Sequence, residues 1–315
     1  MKPNLTTKIG KLTFKNPVTV ASGTFGSIDE YSRFFSYEKL GAVITKTVTR
    51  KPRGGNRMPR VCETPSGMLN SIGLQNKGID DFIKNKVPYF RKLDTHLIVN
   101  IAGETVADFV YLARLLGETK GVSALELNLS CPNVAKGLEF GSRPSLTSEL
   151  VKAVKGVTEL PIFSKLSPES EDFHGVIEAA IMSGSDGLSL INTIRGMAVN
   201  IETRNPRLAN VMGGLSGPAI KPIALRYVYE VKSKWPVPVI AMGGVLDWRD
   251  ALEFIIVGAD LVAVGTANFV NPNASIQIIQ GIQQHLTAKK IRSISELRGT
   301  LQTRSYLETV GAGAG

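Results

Sequence analysis

The chain has 315 residues, 43% hydrophobic and 20% charged, a balance that excludes a disordered or membrane-spanning protein and fits one large globular domain or two ordinary ones. Its formal net charge of +10 is densest over residues 50–60 but lacks the interleaved aromatics of a nucleic-acid binder. An anionic ligand, an acidic partner or a solvated surface accounts for that charge better.

Taken in chain order, residues 1–8 carry no apolar core of signal-peptide type, and no later stretch is long and uncharged enough to span a bilayer. A cytoplasmic protein without membrane or nucleic-acid partners is therefore expected. Residues 5–14 read as a short hairpin. Continuously apolar runs follow at 17–21, 42–45, 97–100, 124–127, 162–165, 187–191, 237–241 and 261–264. Such runs, lacking polar alternation, mark parallel strands buried on both faces. Amphipathic helical patterns lie at 105–116, 148–157, 173–183, 218–232, 248–257 and 273–285.

Eight strands, most followed by a helix, predict an α/β fold of the closed (β/α)₈ TIM-barrel type, with residues 1–315 as a single domain. The hairpin would cover the bottom of the barrel. No Gly-x-Gly-x-x-Gly follows the first strand, which argues against a Rossmann domain. Residues 47–78 and 192–217 are too long for plain connections and are expected to be long loops over the C-terminal mouth, where barrel enzymes build their sites.

The C-terminal strand ends converge on one cavity in such a barrel. They carry Ala21, Ser22 and Gly23, then Lys46 and Thr47, Asn100, Asn128, Lys165, Asn192 and Thr193, Gly243 and Gly244, and Gly265 and Thr266. Behind Asn128 stands Cys131, and Pro132 stops the strand there. A thiol at that point is placed to exchange a proton, attack a carbon or bind a metal, unless it is a buried structural cysteine. No His-Asp-Glu metal set accompanies it, and His96, His174 and His285 have no ligating spacing. With only Cys62 and Cys131, the chain offers neither a disulfide framework nor an all-cysteine iron–sulfur site.

Gly243-Gly244 and Gly265-Thr266 end the last two strands, where barrels often bind phosphate; tight turns are the competing explanation. Lys46 and Lys165 each end an apolar run, and a lysine there is costly without an anionic partner. One of them could form a Schiff base. Paired with several amides, they better suit a flat, electron-rich ring such as a flavin. The loop Asn70-Ser71-Ile72-Gly73-Leu74 adds another amide, and Asn133 and Asn192 lie in the loops behind their strands. This lining suits a small planar molecule bearing amide or carboxylate groups and is poor for a sugar.

At this point the sequence resembles the class 1 dihydroorotate dehydrogenases, above all the class 1B catalytic subunit. The matching stretches are Lys46-Thr47, residues 67–76, Asn128-Leu129-Ser130-Cys131-Pro132-Asn133 and Lys165-Leu166-Ser167-Pro168. Ile191-Asn192-Thr193, residues 213–219, Met242-Gly243-Gly244 and residues 263–267 complete the set. The resemblance implies oxidation of (S)-dihydroorotate to orotate in pyrimidine biosynthesis. Cys131 would take the C5 proton while the C6 hydride passes to FMN.

It also implies substrate contacts at Lys46, Asn70, Ser71, Ile72, Gly73, Leu74, Asn128, Asn133, Asn192 and Thr193. FMN contacts are implied at Ala21, Ser22, Gly23, Lys46, Thr47, Asn100, Asn128, Lys165, Ile191, Gly217, Gly243, Gly244, Gly265 and Thr266. A homodimer joined by a subunit carrying FAD and [2Fe–2S], in a heterotetramer that reduces NAD⁺, is implied as well. The rival within the family is the fumarate-linked class 1A enzyme; outside it stand a Schiff-base barrel enzyme and a non-catalytic binding protein. The wording departs from class 1B habit at Phe163-Ser164, in residues 134–141 and in residues 45–49, none of which removes a chemical group.

Overall fold

The structure is a computed structural model that describes residues 2–25, 29–129 and 140–303. Eight short parallel strands form one sheet: β1 Val18–Val20, β2 Ala42–Ile44, β3 His96–Ile101, β4 Ala124–Asn128, β5 Ile162–Leu166, β6 Gly187–Leu190, β7 Val239–Met242 and β8 Leu261–Val264. Neighbours run in the order β1-β8-β7-β6-β5-β4-β3-β2. The two end strands meet across a seam, where the Gly41 N–H donates to the Val18 carbonyl at 2.9 Å and Thr19 Oγ1 donates to the Ala42 carbonyl at 2.9 Å. A Cβ on Gly41 would fall 2.1 Å from the Asn16 carbonyl oxygen, so the seam needs a glycine. The expected TIM barrel is what forms, each strand lying within a residue or two of its apolar run.

Alternation along each strand divides the core in two. Inward residues Ala42, Ile44, Ile98, Ala124, Phe163, Ile240 and Leu261 cluster with Ile9, Leu12 and Phe14 of the hairpin Thr7–Ile9/Leu12–Phe14. The hairpin therefore plugs the bottom of the barrel, as expected. Outward residues such as Leu97, Val99, Leu125, Leu127 and Val262 pack under the surrounding helices. Among these, Val106–Gly117 and Trp248–Ile256 begin with reciprocal capping boxes, Thr105 with Asp108 and Asp247 with Asp250. At the bottom face, Asp186 accepts the Ile162 N–H and Asp260 the Val239 N–H, each at 2.9 Å.

The two long excursions correct the expectation of irregular loops. Residues 47–78 contain the hairpin Val61–Thr64/Gly67–Asn70, and residues 192–217 contain the strands Ile194–Met197 and Met212–Ser216. Asn70 stands opposite Gly214 and Leu69 opposite Leu215, joining both excursions in a four-stranded antiparallel sheet. Local sequence could not show a pairing between segments so far apart, and Gly213-Gly214 gives no strand signal of its own. A further helical region unmarked by periodicity covers Gly78–Asp81, Phe82–Lys86 and Val87–Phe90, where Pro88 interrupts the pattern.

Candidate active site

The strand ends and both excursions enclose a cavity of about 580 Å³. Its wall includes Ala21, Ser22, Gly23, Lys46, Thr47, Asn70, Ile72, Gly73, Leu74, Asn128, Lys165, Ile191, Asn192 and Thr193. Gly217, Gly243, Gly244, Gly265 and Thr266 line it as well. Residues scattered over some two hundred and forty positions thus meet because parallel strands bring all their C-terminal ends to one mouth. Ser71 and Asn100 do not line it; both are fully buried behind the wall. Ser71 is held by its backbone, its N–H donating to the Arg60 carbonyl at 2.8 Å and its carbonyl accepting from Asn56 Nδ2 at 2.9 Å. Cys131 and Asn133 lie outside the described residues.

The amide side chains are tethered to one another and to backbone. Asn192 Nδ2 donates to Asn128 Oδ1 at 3.4 Å, while Asn192 Oδ1 accepts the Thr193 N–H at 2.8 Å. Asn70 Nδ2 donates to the Gly214 carbonyl at 3.3 Å, so the joined excursions set its orientation. Ser22 and Thr47 hydroxyls face each other at 3.4 Å. Fixed amides in a cleft are what a planar ligand with N–H and C=O edges requires.

The floor carries charge. Lys165 is 6% exposed, and its Nζ lies 3.8 Å from Glu126 Oε1, which also accepts from Asn100 Nδ2 at 2.6 Å. Lys46 makes no hydrogen bond or ion pair among the described residues. Burial, then the nearby Arg60, holds its ammonium below the usual lysine range, against the pull of Glu30. Lys46 and Arg60 both line the cavity, and two neighbouring cations favour an anion there.

At the opposite end, Gly243 and Gly244 take φ +130° and +75°, and a Cβ on Gly244 would fall 2.6 Å from Lys221 Cβ. Gly265 differs: a Cβ there would meet nothing nearer than Ala21 Cβ at 3.6 Å. Its missing side chain keeps cavity space open instead of relieving a clash. Thr266 Oγ1 donates to Ser216 Oγ at 2.8 Å, closing this end.

The structure adds residues that the sequence reading passed over. Glu126 was legible in principle, as a carboxylate in the middle of the apolar run 124–127. Arg60 lies in the basic stretch and Ser216 in the segment 213–219, and both line the cavity without a sequence signal that places them there. Glu169 and Arg195, tied by the Arg195 N–H to Glu169 Oε1 at 2.7 Å, had no sequence signal. Among the described residues no group of His, Cys, Asp and Glu is arranged to hold a metal ion, and no helix is long and apolar enough to cross a membrane.

A family profile described as dihydroorotate dehydrogenase matches residues 4–286, which contain the hairpin, all eight barrel strands and the whole cavity. The chain belongs to the dihydroorotate dehydrogenase family. Proteins from Desulforamulus reducens and Alkaliphilus metalliredigens are 51% and 50% identical to it, each over 95% of this chain and 99% of the relative. One from a Thermoanaerobacter species is 51% identical over the same shares. All three bear the name dihydroorotate dehydrogenase B (NAD(+)), catalytic subunit. The similarity expected from the motifs, to the class 1B catalytic subunit, is therefore found along nearly the full length.

Proposed function

We propose that this chain is the FMN-binding catalytic subunit of an NAD⁺-linked dihydroorotate dehydrogenase, oxidising (S)-dihydroorotate to orotate in cytoplasmic pyrimidine biosynthesis. The observation that carries this reading is the convergence of Lys46, Lys165 and the amides of Asn70, Asn128 and Asn192 on one cavity with a glycine-lined end. The names of the relatives support the NAD⁺ linkage.

The residues present fit FMN. Buried Asn100 Oδ1 and Glu126 Oε2 have no partner at the floor, and Gly265 leaves room where any larger residue would project. Gly217, Gly243, Gly244, Gly265 and Thr266 would hold the phosphate end. Ala21, Ser22, Gly23, Thr47, Lys165 and Ile191, with Lys46 and Asn128, would hold the ring, and Asn100 would stand behind that wall. When bound, FMN supplies the acceptor for the hydride that leaves C6 of the substrate.

The chain's own residues do the rest. Lys46 meets the substrate carboxylate, and Asn70, Asn128, Asn133, Asn192 and Thr193 orient the ring amides, with Ile72, Gly73 and Leu74 forming the adjoining wall and Ser71 buried behind it. Cys131 takes the C5 proton, so that the loss of H⁺ from C5 and of hydride from C6 leaves the new C5=C6 double bond. A free thiol ionises near ~8.5, and neighbouring cations favour the thiolate, so such a base works close to neutral pH. Residues 1–315 act as one catalytic domain. Two copies pair and take on a subunit bearing FAD and [2Fe–2S], which supplies the cluster that two cysteines cannot build.

Dihydroorotate added without oxygen to the purified, flavin-loaded protein should bleach the flavin absorbance and release orotate. Flavin-replete protein that dihydroorotate leaves oxidised would overturn the reading.

A further inference from the structure

Four neighbouring strands line one side of the barrel interior with buried polar residues. Inward residues of β3, β4, β5 and β6, which are consecutive neighbours in the sheet, are Asn100, Glu126, Lys165 and Ser189. Their inward facing follows from period two, because Ile98, Ala124 and Phe163 two residues earlier belong to the barrel-interior cluster. A Cβ on Gly187, two residues before Ser189, would likewise fall 2.7 Å from the Phe163 ring. The opposite side of the interior presents Ala21, Ile44, Met242 and Ala263, with Thr19 and Lys46 as its polar members.

Glu126 is the centre of this arc. It is 0% exposed, and no water-facing route offsets the cost of desolvating a carboxylate there. What offsets it is the Asn100 amide at 2.6 Å and the Lys165 ammonium at 3.8 Å, both directed at Oε1. Resting on the FMN reading, we propose that Glu126 is a positioning residue: from behind the cavity wall it fixes Lys165 at the floor, with Asn100 bonded to it, and sets the net charge that the cofactor ring meets.

The physical consequence is electrostatic. At this depth charges are weakly screened, so a negative charge beside Lys165 offsets much of the favour that the lysine gives to electron density gained on reduction. Glu126 thereby restrains the flavin's reduction potential, keeping it low enough for electrons to move onward. A merely structural Glu126 would lower stability when replaced and leave the potential where it was.

The test is the midpoint potential of bound FMN, measured by dye-coupled titration, in wild type and Glu126→Gln. Gln keeps the shape and still accepts from Asn100, and the potential should shift to a more positive value, whereas Glu126→Asp, which retains the charge, should shift it less. An unchanged or more negative potential in Glu126→Gln would overturn the proposal. Should that variant fail to fold with FMN, Glu126→Asp decides, since it keeps the charge but draws the carboxylate back from Lys165. Its potential must lie at a more positive value than wild type, and an unchanged or more negative value refutes the role. Absence of FMN, or of dihydroorotate reduction, in the wild-type protein would instead refute the underlying functional reading.

Discussion

Lys221 and Asp250 are joined by an ion pair, Lys221 Nζ to Asp250 Oδ1 at 2.7 Å, that ties two consecutive barrel helices together beside the glycine turn after β7. The other carboxylate oxygen accepts the N–H groups of Leu246 and Asp247 at 2.8 and 3.1 Å, which pins the turn that follows Gly244. One side chain therefore connects helix packing to the shape of the proposed phosphate end.

Replacing Asp250 by Asn should cost about 2 kcal/mol in urea-unfolding stability, the scale of hydrogen bonds to a charged group. Burial alone would raise this carboxyl, but the bonds from Lys221, Leu246 and Asp247 outweigh it and hold it below the usual carboxylate range. A depressed folded value means that the contribution is complete above the unfolded value of ~3.9 and disappears as pH falls through the folded one. Wild type should therefore lose this increment only in strong acid, and an Asp250→Asn protein whose acid-stability curve keeps the same step would show that the clamp is inert.

Lys46 leads to the opposite dependence. Its ammonium is held below the usual lysine range, chiefly by burial and then by Arg60, so the folded protein releases that proton before the unfolded chain does. Folding stability should rise slightly with pH across that window. Orotate needs the charged form, so its affinity should decline with rising pH before the ordinary lysine value of ~10.4 is reached. Lys46→Met should remove this decline and weaken orotate binding roughly 10- to 100-fold, the equivalent of a charge-assisted hydrogen bond. A flat pH profile in wild type, read by titration calorimetry, would place the lysine away from the substrate.

Two glycines separate backbone need from ligand need. Gly244→Ala combines φ +75° with contacts of 2.6–2.9 Å to Lys221 and Gly217, and should lower both stability and flavin content. Gly265→Ala meets only a 3.6 Å contact, so the fold should tolerate it while the methyl group takes up cavity space. Its expected signature is an unaltered melting temperature with weaker FMN retention on dilution. Full flavin affinity in Gly265→Ala would mean that nothing packs against that position.

The barrel was legible because its strands are buried on both faces, so their runs are apolar without alternation; β8 begins and ends at the residues its run marks. The site was legible where chemistry sits at strand ends, as with Lys46 and Asn128. It was only half legible where a strand carries a charge in its middle: Glu126 stands out in its apolar run, but its partners Asn100 and Lys165 come from other strands. The sheet shared by the excursions was hidden because its register, Asn70 with Gly214, is fixed by tertiary closure and not by local propensity. Ser71 shows the converse, a residue inside a matching motif whose side chain is turned into the protein.

Cys131→Ser should keep its flavin yet be reduced by dihydroorotate about 10²-fold or more slowly at neutral pH, since a hydroxyl is a far weaker base than a thiol. Stopped-flow flavin bleaching measures this directly. Equal rates in the two proteins would take Cys131 out of the proton transfer and leave the cavity's remaining groups to supply the base.

The electron acceptor is the most exposed part of the proposal, and its test uses the chain's cysteines. Cys62 is buried against Leu69 and Leu208 in the excursion sheet. The proposed route to NAD⁺ runs through another subunit, and the +10 charge of this chain suits an acidic one. Dihydroorotate:NAD⁺ turnover should be negligible for the isolated chain and appear once an FAD- and [2Fe–2S]-bearing subunit is added, with complex formation weakening at high salt. Brisk fumarate-linked turnover by the isolated chain, with no gain from any such subunit, would move it to the fumarate-using branch of the family and leave Cys131 and the FMN site unchanged.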